Sequence, residues 1–350
     1  MWARGKRVYC VWHGSLEGIP EVGKGVVLIG ESFHVTTVVP VYNGGPFIEA
    51  TLRSLLGQTR RPDRLIVQDN CSTDDTAEIA KGFAGEGVEY RRTAEHLHSG
   101  LSFNLGMEFA SETDVLHMMT ADDLVKPTFV ERVLEPLVGV EGNALSYSAF
   151  EVIDEEGRLL EEGDLANSFR IESGAPVREI PMEDFLAAQA VLRTICTPAV
   201  LMKTDRRPLP AGLRLEFIQC ADAVFFSECT RDYKRFFEVP EALCQYRRHG
   251  ATTTTRNRER PAELIQDYWR ATSRVDEIRG KSGWMANFRR RCFVAAAARI
   301  LLGGIEDLDS VRRAEALRTT RAITGLPAWC LGNLAVALRR VLGQGHFRRP

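Results

Sequence analysis

The sequence contains no long apolar run. No uninterrupted apolar segment approaches the ~20 residues that a transmembrane helix requires. Residues 1–33 include basic side chains near the start, but they have no long apolar region and no signal-type cleavage site. The sequence therefore predicts neither a membrane-spanning helix nor a secretory signal, and it leaves residues 1–33 as a candidate disordered extension.

Closely spaced cysteines are also missing. The eight cysteines include no pair with the short spacing that is typical of a metal site. Unpaired thiols of this kind are typical of a reducing compartment. We therefore expect a cytoplasmic protein with free thiols.

The composition is that of an ordinary globular protein, with an uneven distribution of charge. With 350 residues, of which 44% are hydrophobic, the chain can bury a full core. Residues 256–350 contain 19 Lys and Arg against 9 Asp and Glu, whereas residues 1–255 contain 26 against 38. The basic region indicates a surface for phosphates or for an anionic membrane, or a solvated face of packed helices.

Residues 34–76 predict a β-α-β unit. A β-branched run from Val35 to Val41 ends in the turn Tyr42-Asn43-Gly44-Gly45. A helix with one apolar face follows, and a second buried strand at 65–67 leads into the acidic loop 69–74. Because the strands are parallel, both loops emerge at the carboxyl edge of the sheet, where ligands bind. Asp69 is suited to accept hydrogen bonds from a base or a ribose, or with Asp74 to cap the next helix.

A second acidic loop follows the strand at 115–119. Asp122 and Asp123 are adjacent carboxylates, which are costly to place together unless a cation lies between them. Hard oxygen ligands suit Mg²⁺ or Mn²⁺. The alternative is that these acids cap the helix that begins near Pro127. Further along, the pattern at 144–160 predicts a β-hairpin, and residues from about 260 onward predict three or four helices.

Several fragments together resemble a known family. Val39-Pro40-Val41-Tyr42-Asn43, the segment Ser54 to Thr59 and the loop Asp69 to Asp74 resemble the opening of the family-2 inverting glycosyltransferases. The resemblance covers about residues 34–250. It implies the α/β GT-A fold, a Rossmann-like mixed sheet flanked by helices that binds a nucleotide-diphospho-sugar, here with a helical C-terminal appendage.

The resemblance also implies roles for particular residues. Pro40, Tyr42, Asp69 and Asp122 would hold the nucleotide, and Asp122 and Asp123 would bind Mn²⁺ or Mg²⁺. Asp222, in the first turn of a predicted helix, matches the catalytic base that takes the proton of the acceptor hydroxyl. Glu183 and Asp184 are alternative candidates for the base.

The end of the resembling region has a Tyr-Arg-Arg-His segment. By the match, Arg247 and His249 would approach the diphosphate of the donor. The predicted organisation is therefore an extension at 1–33, a catalytic domain at 34–255 and a helical region at 256–350. The helical region is expected to pack on the catalytic domain or to contact a membrane surface.

The predicted function is the transfer of a sugar from a UDP-, GDP- or dTDP-sugar to a saccharide or lipid-linked hydroxyl, in surface polysaccharide or glycolipid assembly. Two alternatives stay open. A non-catalytic nucleotide-sugar-binding or scaffold protein of the same fold would share these motifs. A nucleotidyltransferase would require a Gly-rich loop bearing Lys or Arg after the first strand, and Tyr42-Asn43-Gly44-Gly45 does not supply one.

Overall fold

The computed structural model describes residues 33–160, 176–192, 195–250, 252–305 and 308–341. The predicted extension at 1–33 lies outside these ranges, except for Phe33.

A mixed sheet forms the centre of the described molecule. Its strands are β1 (Val35–Val41), β2 (Arg64–Asp69), β3 (Val88–Arg92), β4 (Val115–Met118), β5 (Leu124–Val125), β6 (Ala144–Ile153), β7 (Arg178–Ile180), β8 (Val200–Lys203) and β9 (Arg235–Arg247). The spatial order is β3-β2-β1-β4-β8-β6-β9-β5, with β7 alongside β9. The first four strands of this order are parallel, and β8 is antiparallel to both β4 and β6. The parallel half is the part that brings the loops after β1, β2 and β4 to one edge.

Helices lie around this sheet and continue beyond it. They are α1 (Gly45–Leu56), α2 (Thr76–Gly82), α3 (Ser99–Met107), α4 (Phe129–Leu134), α5 (Met182–Gln189), α6 (Ala221–Cys229), α7 (Thr253–Asn257), α8 (Pro261–Ile278), α9 (Trp284–Gly303) and α10 (Ser310–Val341). The last helix is interrupted at Gly325, which has a φ of 71° and stands two residues before Pro327. Within the described ranges, none of the helices is both long and apolar enough to cross a bilayer.

The predicted β-α-β unit is confirmed at residues 35–69. All residues of β1 except Pro40 are buried, because both faces of this strand are covered. On one face, Val35 and Val39 pack with Ile48 and Leu52 of α1. On the other face, Val38 packs in a second cluster that extends to α6.

The hairpin predicted at 144–160 is confirmed at its turn, where the backbone N–H of Asp154 donates to the Arg158 carbonyl at 2.9 Å and that of Leu160 donates to the Val152 carbonyl at 2.8 Å. β6 is a single strand of ten residues that pairs in parallel with β9 and antiparallel with β8. The returning segment of this hairpin is short and forms one isolated antiparallel bridge, between Ile153 and Leu159. The long pairing of β6 with β9 joins residues about ninety positions apart, as in the pairing of Tyr147 with Glu238, so local alternation does not reveal it.

The C-terminal helices are joined to the sheet region through α6. Phe217, Ala223 and Val224 share a buried cluster with Ala271 of α8. Helices α8, α9 and α10 pack together in a further cluster that includes Ile265, Val294 and Ala316. The helical region therefore packs against the element that carries Asp222.

Candidate active site

Two loops at the carboxyl edge of the sheet are hydrogen-bonded to each other. The backbone N–H of Gly44 donates to Thr76 Oγ1 at 2.9 Å, and that of Gly45 donates to Asp74 Oδ2 at 3.0 Å. A Cβ atom on Gly45 would come within 1.9 Å of Asp75 Oδ1, so a larger residue at this position would displace the Asp75 side chain. The turn after β1 is therefore fixed by the acidic loop after β2.

Asp69, at the end of β2, is a fully buried carboxylate with several hydrogen-bond donors around it. Its Oδ1 accepts from the backbone N–H of Ser72 at 2.8 Å, and its Oδ2 accepts from the Tyr90 hydroxyl and from Arg92 Nη1, each at 2.6 Å. Burial alone would raise the pKa of Asp69, but the bonds from Ser72 and Tyr90 and the charge of Arg92 outweigh it and lower the pKa. Asp69 is therefore an anion that orders the acidic loop, and its contact with a nucleobase stays a prediction.

An exposed aromatic pair lies beside this loop. The ring of Tyr42 is 46% exposed, and its centroid is 4.0 Å from that of His96. Pro40, near the end of β1, is partly exposed and pairs in register with Gln68. The two rings are tilted by 42° to each other, which leaves the exposed Tyr42 ring next to the Asp69 loop, and its stacking role stays a prediction.

Asp122 lies opposite a histidine that comes from the far end of the sheet. The Asp122 side chain is 30% exposed, and its Oδ2 is 3.1 Å from His249 Nε2. The His249 ring packs against Phe47 of α1, with centroids 4.4 Å apart. The first turn of α1, the loop after β4 and the segment just after β9 therefore meet at His249.

Asp123 faces the interior. It is 1% exposed; its Oδ1 accepts the backbone N–H of Arg247 at 2.7 Å, and its Oδ2 accepts the hydroxyl of Thr120. Burial and the neighbouring charge of Asp122 raise the pKa of Asp123 well above its usual range. Both oxygens of Asp123 are therefore bonded inside the protein, and its role as a metal ligand stays a prediction.

Arg247 is also buried, and its guanidinium holds main-chain carbonyls. Nε donates to the Asp122 carbonyl at 2.8 Å, and Nη1 donates to the carbonyls of Asp154 at 3.1 Å and Glu155 at 2.7 Å. The guanidinium also lies over the ring of Phe47, 5.2 Å from its centroid. Arg247 therefore fixes the shape of the loop that carries Asp122, and its contact with a diphosphate stays a prediction.

Asp222 stands in the first turn of α6, as predicted, and is partly buried. Burial raises the pKa of its carboxyl to about 7, against backbone N–H groups that lower it, and the charge of Asp267 adds to the rise. The alternative candidates Glu183 and Asp184 lie in the first turn of α5, where both are exposed and Glu183 pairs with Lys281. Of these three acids, Asp222 has the environment that suits a general base at neutral pH.

A cysteine links the region of Asp222 to that of Asp123. Hydrogen bonding with Cys244 and burial raise the pKa of the Cys196 thiol well above its usual range, and the charges of Asp123 and Asp222 raise it further. One side chain therefore lies within electrostatic range of both carboxylates.

The donor set that could hold a divalent cation consists of Asp122 and His249. Across the described part of the chain, no group of three or more His, Cys, Asp and Glu side chains is arranged to hold a metal ion. A carboxylate and an imidazole do suit Mn²⁺, and Mg²⁺ is usually held by one or two carboxylates together with substrate phosphates. The residues therefore fit a cation that arrives with a phosphate ligand.

Sequence reasoning missed two groups of residues. Tyr90 and Arg92 bind Asp69; their alternation along β3, which places both on one face, could have indicated a shared role. Asp267 of α8 binds the loop that leads to Asp222. No sequence pattern connects those two regions.

The chain is similar to proteins of one family. Residues 36–172 match the family described as glycosyl transferase family 2. The chain is 32% identical over 109 residues to the uncharacterized glycosyltransferase YibD of Escherichia coli strain K12. The aligned region is 31% of each chain. It is 24% identical over 226 residues to an uncharacterized glycosyltransferase of Haemophilus influenzae, covering 63% of this chain and 67% of that one. The chain spans less than a third of the length of the first curated relatives it matches.

A solved structure shares the fold. The mannosyltransferase PcManGT from Pyrobaculum calidifontis, in complex with GDP-Man and Mn²⁺, gives a TM-score of 0.52 at 15% identity, covering 89% of this chain and 88% of that chain. The likeness confirms the predicted GT-A fold.

Proposed function

We propose that the chain, which matches glycosyl transferase family 2 over residues 36–172 and shares the GT-A fold, transfers a sugar from a nucleotide-diphospho-sugar to a hydroxyl acceptor with inversion at the anomeric carbon. The observation that carries the proposal is Asp222, a carboxyl in the first turn of α6 whose pKa burial raises to about 7. The acceptor class is a glycan or glycolipid of surface polysaccharide assembly.

The nucleotide end of the donor is assigned to the loops after β1 and β2. The exposed ring of Tyr42, beside His96, offers a face on which a base can stack. Asp69 holds the loop that carries Ser72 and Thr73 against the first turn, so the surface is formed before the donor binds. Pro40 contributes the adjoining apolar edge of this surface.

The diphosphate end is assigned to Asp122 and His249. Mn²⁺ or Mg²⁺ held there would neutralise the negative charge that develops on the departing diphosphate. In this assignment Arg247 and Asp123 support the site indirectly, because their hydrogen bonds fix the loop that carries Asp122. Asp122 is therefore the residue to which we assign the metal contact.

The transfer itself needs one proton acceptor. The acceptor hydroxyl oxygen attacks the anomeric carbon and forms the new C–O bond. The bond between that carbon and the phosphate oxygen breaks, and its electron pair leaves with the nucleoside diphosphate. Asp222 takes the hydroxyl proton, and attack from the face opposite the leaving group inverts the configuration.

The test is a donor panel on the wild-type protein. UDP-, GDP- and dTDP-sugars are titrated by calorimetry with and without Mn²⁺; the panel includes GDP-mannose, the donor in the PcManGT complex. Release of nucleoside diphosphate is then followed over time, and the anomeric configuration of the product is read by NMR. We expect one donor to bind with metal, to turn over and to give the inverted product.

Each other outcome would overturn part of this proposal. Donor binding without turnover, with saccharide acceptors present, would favour a non-catalytic nucleotide-sugar-binding protein. Release of pyrophosphate from a nucleoside triphosphate and a sugar phosphate would indicate a nucleotidyltransferase. Retained configuration in the product would contradict the role of Asp222 as a base in a single displacement.

We extend the proposal to peripheral contact with an anionic membrane through α9. This helix carries four Arg and no acidic residue, and at its start Trp284 is 77% exposed and Met285 52% exposed. An exposed aromatic beside positive charge suits the headgroup region of a bilayer. Vesicles with phosphatidylglycerol should sediment the protein at low salt, and Trp284→Ser should weaken this. Equal binding to phosphatidylcholine vesicles, or none to either, would contradict the contact.

A further inference from the structure

The carboxylate of Asp267, on α8, binds the loop that leads into α6. Its Oδ1 accepts the backbone N–H of Ile218 at 3.1 Å, and its Oδ2 accepts those of Gln219 and Cys220, each at 2.9 Å. The Asp267 residue is only 2% exposed. One buried side chain therefore holds three consecutive amides that end one residue before the start of α6.

These amides need a partner from outside α6. They precede Ala221, the first residue of the helix, so they cannot join its ladder of hydrogen bonds. A buried N–H group without a partner costs about 1–3 kcal/mol. Asp267 supplies the acceptor from another helix, and its negative charge faces the positive end of the α6 dipole. The start of α6, and with it Asp222, is thus fixed by α8.

A second set of contacts fixes the same loop from α7 and β9. The Asn257 side-chain amide donates to the Ile218 carbonyl at 2.8 Å and to Gln219 Oε1 at 3.0 Å. Gln219 Nε2 donates to Thr254 Oγ1 at 3.2 Å, and the Tyr246 hydroxyl is 3.1 Å from the same oxygen. Tyr246 directly precedes the strand residue whose N–H binds Asp123. The network therefore connects the loop of Asp222 to the loop of Asp122.

We propose that Asp267 is a positioning residue for Asp222: it fixes the loop and first turn that aim the carboxyl of the general base. The inference rests on the proposed function for its catalytic consequence. It extends the catalytic machinery into α8, which lies outside the family match at 36–172.

Three titratable groups near Asp222 can influence the charge of its carboxyl. They are Asp267 from α8, the Cys220 thiol just ahead of α6 and the Cys196 thiol ahead of β8. Burial raises the pKa of the Cys220 thiol, and a hydrogen bond with Cys244 together with burial raises that of the Cys196 thiol. Both thiols therefore stay neutral at pH 7. Asp267 is therefore the neighbouring anion, and its removal should lower the pKa of Asp222.

The test titrates Asp222 directly. Aspartate side chains are labelled with ¹³C, and the Asp222 signal is assigned by its loss in Asp222→Asn. We expect a pKa near 7 in the wild type and a value lower by about 0.5–1 unit in Asp267→Asn, since one nearby charge is removed. Asp276→Asn is the matched control, because Asp276 is a buried carboxylate of the same helix that pairs with Arg279 and Arg290 instead.

Kinetics give the second readout, with the donor that turns over in the panel. Asp267→Asn should lower kcat about 10- to 100-fold, at the low end of the effect of a general base, while KM for the donor changes less than about threefold. The side-chain oxygen of Asn can still accept two of the three amide N–H groups, so Asp267→Asn should fold. Comparing the melting temperatures of Asp267→Asn and Asp276→Asn checks this.

Two results would overturn the inference. An Asp222 pKa that is the same in the wild type, Asp267→Asn and Asp276→Asn would remove the electrostatic role. A rise of the donor KM in step with the loss of kcat would show general disruption instead of positioning. A wild type that turns over no donor refutes the proposed function, and the NMR titration still decides whether Asp267 sets the protonation of Asp222.

Discussion

The backbone N–H of Arg247 donates a 2.7 Å hydrogen bond to Oδ1 of Asp123, a residue 124 positions earlier in the chain. This bond joins the end of β9 to the acidic loop after β4. The Arg247 side chain adds a second bond to the same loop, at the Asp122 carbonyl. As a result, one of two adjacent aspartates faces inward as an anchor, and the other stays partly exposed beside His249.

The first prediction separates these two aspartates. Asp123→Asn should retain metal-assisted donor binding, because an amide oxygen can still accept the Arg247 N–H and the pKa of Asp123 is already raised well above its usual range. Asp122→Asn should weaken the metal-dependent part of donor binding about tenfold or more, through the loss of a charged ligand. Calorimetry with and without Mn²⁺ measures both. Loss of metal dependence in Asp123→Asn would restore Asp123 as the ligand.

The second prediction concerns the base. Asp222→Asn should lower kcat by about 10²–10⁴, the range of a general base, and leave donor affinity within about threefold. The measurement is nucleoside diphosphate release, with donor affinity by calorimetry. Asp232→Asn is the control, since Asp232 is an exposed acid just after the same helix and should keep wild-type activity. Wild-type turnover in Asp222→Asn would transfer the role to another group.

The third prediction is the pH dependence of turnover. Asp222 accepts a proton only when it is ionised, and its pKa is raised to about 7. The rate should therefore be high above pH 7 and should fall as the pH drops through that value, with about a tenfold loss per unit below it. A profile of kcat from pH 5 to 9 measures this. A plateau that continues down to pH 5 would contradict the assignment.

The fourth prediction tests Asp69 as a structural anion. Its pKa is lowered in the folded protein, so its ionised form stabilises the fold above its unfolded pKa, and that stabilisation is lost as the pH falls through the folded value. Asp69→Asn should lower the free energy of unfolding at pH 7 by about 1–3 kcal/mol. Urea denaturation at pH 7 and pH 3 should show the difference from wild type shrinking in acid. An unchanged difference would contradict the argument.

The fifth prediction concerns Arg247. Arg247→Lys should destabilise the fold by about 1–3 kcal/mol, because a single ammonium cannot reach the carbonyls of Asp122, Asp154 and Glu155 together. Thermal denaturation measures this. Arg158→Lys is the control, since the Arg158 side chain is 73% exposed in its pairs with Asp154 and Glu156. Equal stability of the two variants would return Arg247 to the diphosphate contact that the sequence predicts.

Local pattern was sufficient for the half of the fold in which consecutive elements are neighbours. The β-branched run at 35–41, the apolar face of α1 and the second strand predict β1, α1 and β2 directly, because each depends on its own periodicity. The same pattern places Asp69 and Asp122 at the ends of parallel strands. The motifs between 39 and 74 carry the resemblance to the family-2 glycosyltransferases, and they lie inside the matched range 36–172.

Tertiary structure alone decided the orientation and partners of the site residues. β6 pairs with β9 across about ninety residues, Arg247 turns to main-chain carbonyls, Asp123 points inward, and Asp267 binds the loop of Asp222 from 45 positions later. Sequence fixes which residues are apolar and which are charged, and periodicity indicates which face is buried. Which donor meets which acceptor depends on how distant segments pack, since a buried N–H or carboxylate takes the partner that the fold brings within 3 Å.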